Sequence, residues 1–486
     1  MRIIGNRGNT ARKVQAVASG ALASGDTVVV NADGTVSVVE AATQALGSNQ
    51  IADVGNYVSA AFDTANNRLV IAYTDSENSN YGTAIVGTIS GTSISYGTPV
   101  VFRSSDSEGE INAVFDSSAN KVVIIFKDAG DGNKGKAVVG TVNSSNNSIS
   151  FGSVAVFRDS NIQDFGLTFD SNSNRVVISY QDTSGKGTAI VGRVSGTNIS
   201  FGSAVIFNTA TGTRPTGITF DSNSNKVVIA YRDASFNANG PGSAIVGTVS
   251  GTSISFGSEA EFESSNVRYI SATFDTLNNK VIIGYTILNS GSDHQGAIRS
   301  IVGTVSNTSI SFGSANTVDS GGDNRFTSIG FDPSGGKFII AYRDDDPGKL
   351  AIGTVSGTNN STTTPETYNS GTQNNWKRIV YSPEEKVSII AGASIVSSSY
   401  KVAGTVYRFA STNLTSENYI GIASNGYATG QAATINAKGF IDDNQSSLTA
   451  GQSYYVQTNG DLGLTAADPS VFAGTAVSAT KLIVKG

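Results

Sequence analysis

Apolar and polar positions along the middle of this chain form short blocks, and the blocks recur. FDSNSNKVVIAYRD is followed by GSAIVGTVSGTSISFGS, and close variants of this succession return roughly every 50–57 residues. Each copy is anchored by a Phe-Asp pair or its equivalent, beginning at Phe62, Phe115, Phe169, Phe220, Phe274, Phe331 and, degenerate, Tyr381. In the fourth copy the apolar runs are ITF, KVVIAY, SAIVGTV and SISFGSEAEF, separated by DSNSN, a long loop and SGT. Short runs rich in Val, Ile, Thr, Phe and Tyr, bounded by Gly, Asn, Asp and Ser, predict strands. No segment carries a helical period, which excludes the alternating α/β folds. Four antiparallel strands taken seven times predict an all-β chain built on a seven-bladed β-propeller of four-stranded blades.

The innermost strand of a blade crowds around a central channel. Three residues before each repeat Phe stand Ser59, Asn112, Gly166, Gly217, Ser271, Ser328 and Arg378, and six of these seven are small or amide-bearing. Alternate positions, Leu167, Ile218, Ile329 and Ile379, are apolar, as expected where one face packs between blades and the other meets a narrow watery tunnel. The seventh copy lacks the SISFGS strand, and TVSVVEAAT at 35–43 is expected to supply it by pairing with 402–407. The expected organisation is therefore an N-terminal β segment at 1–50, with 35–43 closing the ring, a propeller at 51–410 and a C-terminal β domain for attachment or assembly at 411–486. The two small flanking β modules echo each other: LTAGQSYYVQTNGDL resembles LASGDTVVVNADGTV, and both contain an Asp-Gly or Asn-Gly hairpin signal.

Composition narrows the partners. Net charge is −6 with pI near 5.0, and no basic stripe interrupts the repeats, which argues against nucleic acid. Cysteine is absent, which removes disulfides and thiolate metal sites. MRIIGNRGNTARK lacks the apolar core of a signal peptide, and no apolar run is long enough for membrane insertion. No cofactor motif is present.

Two sets of carboxylates recur. Asp63, Asp116, Asp170, Asp221, Asp275 and Asp332 follow the repeat Phe, and their equivalence argues for turn stabilisation over acid–base catalysis, which needs two carboxylates in unlike surroundings. Asp170 to Asn174 spells D-x-N-x-N, but the Gly and Glu of an EF-hand loop are missing, so no metal site is assigned. Asp75, Asp128, Asp182, Asp233 and Asp344 end the second strands and read as loop caps or ion-pair partners. His294, the only histidine, has no Ser or Cys motif around it, and no catalytic residue is assigned.

Loop length separates the two faces of the predicted disc. DSNSN and SGTS are nearly constant, whereas the loops after the second strand and those leading into each blade vary widely. Variation confined to one face marks a binding surface. That face carries Arg214, Arg268, Tyr269, His294, Arg325, Trp376 and Lys377, an aromatic and cationic set suited to stacking on sugars and bonding acidic glycans.

The repeat FDSNSNKVVIAYRD with GSAIVGTVSGTSISFGS, and the tail LTSENYIGIAS with GLTAADPSVFAGTAVSATKLIVK, resemble virion structural and tail-fibre-like proteins of marine tailed bacteriophages, the cyanophage type among them. The resemblance implies a non-enzymatic virion protein, made in the host cytoplasm without a signal peptide, whose propeller is displayed on a tail appendage to bind a host-surface glycan. Its partners would be other phage virion proteins, with homo-oligomerisation open. A capsid decoration or head-fibre protein is one alternative. A glycan-degrading enzyme is another, and it would require an asymmetric carboxylate pair that the repeat sequence does not display.

Overall fold

In every repeat one run, such as Lys226–Arg232, is continuously apolar rather than alternating. A strand of this kind is stable only where both faces of its sheet are covered. In the computed structural model, which describes residues 2–4, 13–107, 109–233, 240–289 and 296–485, Val227, Val228, Ile229, Ala230 and Tyr231 have no exposed surface at all. The Val and Ile side chains among them each contribute about 1.5–3 kcal/mol by leaving water. The chain divides into two units, 45–408 and a second built from 1–44 together with 409–486.

The larger unit is the propeller. In the fourth blade Arg214–Asp221 pairs with Lys226–Arg232, which pairs with Gly242–Ser250, all antiparallel. The outermost strand comes in two pieces, Ser253–Phe256 and Ala260–Glu263, both paired to the third strand. The break falls at the FGS glycine. A Cβ on Gly202 would lie 2.0 Å from the Thr252 carbonyl oxygen in the SGT turn of the next blade, and Gly97, Gly152, Gly257 and Gly313 meet equivalent turns at 1.8–2.0 Å. The repeat glycine is therefore fixed by blade-to-blade contact.

Between blades the faces interdigitate: Val228, Val246 and Phe262 of the fourth pack against Ile270, Val281 and Tyr285 of the fifth. Each inner strand neighbours the next, and the seventh, Thr372–Ser382, returns to the first, Gln50–Asp63. Closure is made by Ala45–Leu46 and by the beginning of Gln50–Asp63, which pair with Ser399–Arg408. Gly47 then takes the place of the FGS glycine, its Cβ position 2.4 Å from the Thr92 carbonyl.

This corrects the assignment of closure to 35–43. Val36–Val38 is claimed instead by a tight hairpin with Thr27–Val30, turned at Asp33-Gly34, with Val36 fully buried in the second unit. That unit also joins the two terminal segments that the sequence separates. Its six-stranded sheet runs in the order Arg2–Ile4, Lys13–Val17, Ala432–Asn436, Tyr419–Ala423, Thr27–Val30, Val36–Val38. A five-stranded sheet follows from Ile441–Asp442, Lys481–Val484, Val471–Ser478, Ser453–Val456 and Leu462–Gly463. Ala41–Ala42 pairs with Ser411–Thr412 beside them.

Candidate functional site

Near its beginning, the inner strand of most blades carries one residue more than its partner. In the third blade Gln163 opposes Gln181 and Gly166 opposes Ser179, three steps against two. The same bulge separates Asn56 from Ser59, Arg214 from Gly217, Arg268 from Ser271, Arg325 from Ser328 and Asn375 from Arg378. Inside it, Tyr57, Asp164, Tyr269, Phe326 and Trp376 adopt φ values of 50°, 42°, 50°, 54° and 43°. Large L side chains take this left-handed backbone only at a cost, and bulges of this kind re-aim side chains at functional places.

Every one of these residues stands five before its repeat Phe, and the full series from blade one to seven is Tyr57, Glu110, Asp164, Pro215, Tyr269, Phe326 and Trp376. A cavity of about 370 Å³ occupies the mouth of the channel, lined by the described side chains of this series and by Arg214, Arg232, Arg268, Lys377 and Arg378. That volume lies within the range of small-molecule sites. The series is polarised around the ring. Blades five, six, seven and one form an aromatic arc, with ring centroids 5.0 Å apart for Tyr269 and Phe326, 5.6 Å for Phe326 and Trp376, and 4.5 Å for Trp376 and Tyr57. Blades two and three supply two carboxylates.

The two carboxylates are not equivalent. The Phe165 backbone N–H donates to Glu110 Oε2 at 3.1 Å. Burial, reinforced by the charge of Asp164, pushes the Glu110 carboxyl up to about 7, against the opposing pull of that N–H, Lys127 and Arg214. Burial also raises Asp164, but four cations, Arg214 first and then Arg268, Arg232 and Lys127, pull it back. Arg214 Nε lies 3.7 Å from Asp164 Oδ2. Burial thus raises both carboxyls, against two cations at Glu110 and four at Asp164, so the two acids stand in unlike surroundings, as acid–base chemistry requires.

Of the residues that the sequence placed on the variable face, Arg214, Arg268, Tyr269, Trp376 and Lys377 line this cavity. Arg325 does not: its guanidinium is held by Asp323, Nε to Oδ1 at 2.5 Å and Nη2 to Oδ2 at 2.6 Å. His294 lies outside the described residues. Glu110, Asp164, Tyr57 and Phe326 were missed, and counting back five residues from each repeat Phe would have found them. The repeat aspartates lie at the opposite end of the inner strand; Asp221 Oδ1 accepts the N–H groups of Asn223 and Ser224 at 2.9 and 3.0 Å, within its own turn. Of the second set, Asp182 caps its own loop, accepting from the Ser184 and Lys186 N–H groups. Asp128 is paired with Lys136 at 2.6 Å and Arg103 at 2.7 Å.

No family model matches the chain, and no curated relative matches it. Solved structures do. The periplasmic gluconolactonase PpgL of Pseudomonas aeruginosa is 12% identical with a TM-score of 0.46, over 73% of this chain and 95% of that one. A mutant of AofleA from Arthrobotrys oligospora is 9% identical with a TM-score of 0.41, over 70% of this chain and 94% of that one. A mutant of the NanB sialidase from Streptococcus pneumoniae is 12% identical with a TM-score of 0.40, over 74% and 68%. At such identities the likeness is one of fold. The expectation of a non-enzymatic phage appendage that binds host glycan is therefore corrected. The unequal carboxylate pair that the repeats lacked is present at the channel mouth.

Proposed function

We propose that the 45–408 unit is a glycan-degrading hydrolase whose active site is the channel mouth. The observation that carries this reading is the pairing of Glu110 and Asp164, unlike in environment, on one side of a cavity whose other side is an arc of four aromatic rings. Aromatic faces hold sugar rings by their C–H surfaces. Glu110 gives its proton to the glycosidic oxygen as the bond to the anomeric carbon breaks, so the leaving sugar departs as a neutral alcohol. Asp164 balances the positive charge that develops on the ring. Water closes the cycle by supplying hydroxyl to the anomeric carbon and a proton to the carboxylates.

The test is turnover of para-nitrophenyl glycosides and release of reducing ends from polysaccharides by the purified protein. Glu110→Gln should lower kcat by roughly 10²–10⁴-fold on alkyl glycosides. It should matter far less on dinitrophenyl glycosides, whose leaving group needs no proton. Wild-type kcat should fall as pH rises through about 7, where Glu110 loses its proton. A protein that cleaves no glycoside, or a Glu110→Gln variant as active as the parent on every substrate, would overturn the reading.

A further inference from the structure

Two residues further along the inner strand, roughly 7 Å deeper into the channel, six blades present Ser59, Asn112, Gly166, Gly217, Ser271 and Ser328. The seventh presents Arg378. It lines the cavity next to Lys377. Neither enters an ion pair among the described residues, whereas Arg214 is set against Asp164 and both Arg325 and Arg343 against Asp323. The Lys377 ammonium donates to the Asn374 carbonyl and lies 5.9 Å above the Phe326 ring. Burial lowers the proton affinity of both cations, and no carboxylate offsets it for either. The cavity lining as a whole holds five cations against two carboxylates.

Both cations are half-buried; cations partly withdrawn from water without a counter-ion are costly to hold, and a cavity focuses their field on whatever enters it. A guanidinium offers a planar fork of donors that matches a carboxylate or a sulfate. We infer that Arg378, assisted by Lys377, forms an anion subsite at the floor of the cavity, and that the substrate is an acidic glycan whose carboxylate or sulfate ester seats there while the sugar ring lies against the aromatic arc. The inference rests on the hydrolase reading for turnover but not for binding. Glu110 and Asp164 stand on blades two and three, and the anion subsite on blade seven keeps the substrate's charge away from them.

Three arms test it: para-nitrophenyl glucuronides against the matching glucosides, oligouronates against neutral oligosaccharides, and sulfated oligosaccharides against their desulfated forms. Wild type should prefer one acidic class, with Arg378→Gln raising KM for that class roughly ten- to hundredfold more than it changes KM for neutral substrates. Lys377→Met should act in the same direction and more weakly. Preference for uronides identifies a carboxylate, and preference for sulfated sugars a sulfate ester. Thermal unfolding of both variants checks that they fold, which removal of a half-buried cation with no carboxylate partner should not impair. Equal turnover of acidic and neutral sugars by wild type, or a preference that survives in both variants, overturns the subsite while leaving the hydrolase standing. Calorimetric titration with glucuronate and with a sulfated monosaccharide separates the two claims in the other direction. Binding lost in Arg378→Gln without any turnover sustains the subsite and removes the hydrolase, and the absence of binding to either probe overturns the subsite.

Discussion

The two ends of the inner strand have been held to different rules. At one end six blades repeat the same aspartate, each nearly fully buried and accepting the N–H groups two and three residues on. The seventh substitutes Ser382, which accepts the Glu385 N–H at 3.4 Å. At the other end the position five before Phe is occupied by tyrosine twice and by glutamate, aspartate, proline, phenylalanine and tryptophan. The bulge recurs in six of the seven blades while the residues at this position do not. A turn must be satisfied identically in each blade because its backbone donors are the same. A side chain aimed into a shared cavity is under no such rule, so there sevenfold symmetry gives way to an acidic side and an aromatic side.

This contrast predicts three outcomes of decreasing size. Asp221→Ala removes the acceptor for two backbone donors and the Ser224 hydroxyl at 2.7 Å. It should destabilise the protein by about 1–3 kcal/mol in chemical denaturation while leaving activity per folded molecule intact. Loss of activity in the remaining folded protein would break the division between the two ends.

Glu110→Gln should do the reverse. The folded state holds the Glu110 proton up to about pH 7 against 4.5 for the free group. It therefore binds more protons than the unfolded chain between those values, and stability falls as pH rises through that window. The variant should flatten this slope and be more stable at pH 8, by on the order of 1–2 kcal/mol once partial solvent access is allowed for. A slope unchanged in the variant would show that Glu110 is not the group responsible.

Trp376→Leu should have the smallest effect, worth about 0.5–1.5 kcal/mol in a roughly two- to tenfold rise in KM at unchanged kcat. An effect on kcat instead would place the ring nearer the reacting bond than the arc suggests.

Much of this architecture could be read from the chain because the repeat speaks with several voices at once. The Phe-Asp turn, the doubly buried KVVIAY run and the SGT turns agree in every clean copy, and loop variability places Arg214, Arg268, Tyr269, Trp376 and Lys377 on one face. The carboxylate pair was hidden for a physical reason. Glu110 and Asp164 share no motif with their counterparts, and at Asp164 the extra residue of the bulge is invisible to a pattern that assumes strict alternation along a strand. Closure by 45–54 rather than 35–43 was missed because both segments read as strands. What decides between them is the tight turn at Asp33-Gly34, which binds Val36–Val38 to the strand before it.

The strand pair formed by 41–42 and 411–412 holds side by side the two points at which the chain leaves and re-enters the smaller unit. In covalent order the propeller is an insertion, a loop several hundred residues long. On a ribosome the first 44 residues emerge with unpaired edges and wait for partners that lie beyond residue 408, a delay of roughly 20–70 s at about 5–20 residues per second. The disc, whose closing strand is made only at 399–408, assembles in that interval. The smaller unit can thus close only after residues 409–486 have been made, when every strand of the propeller already exists.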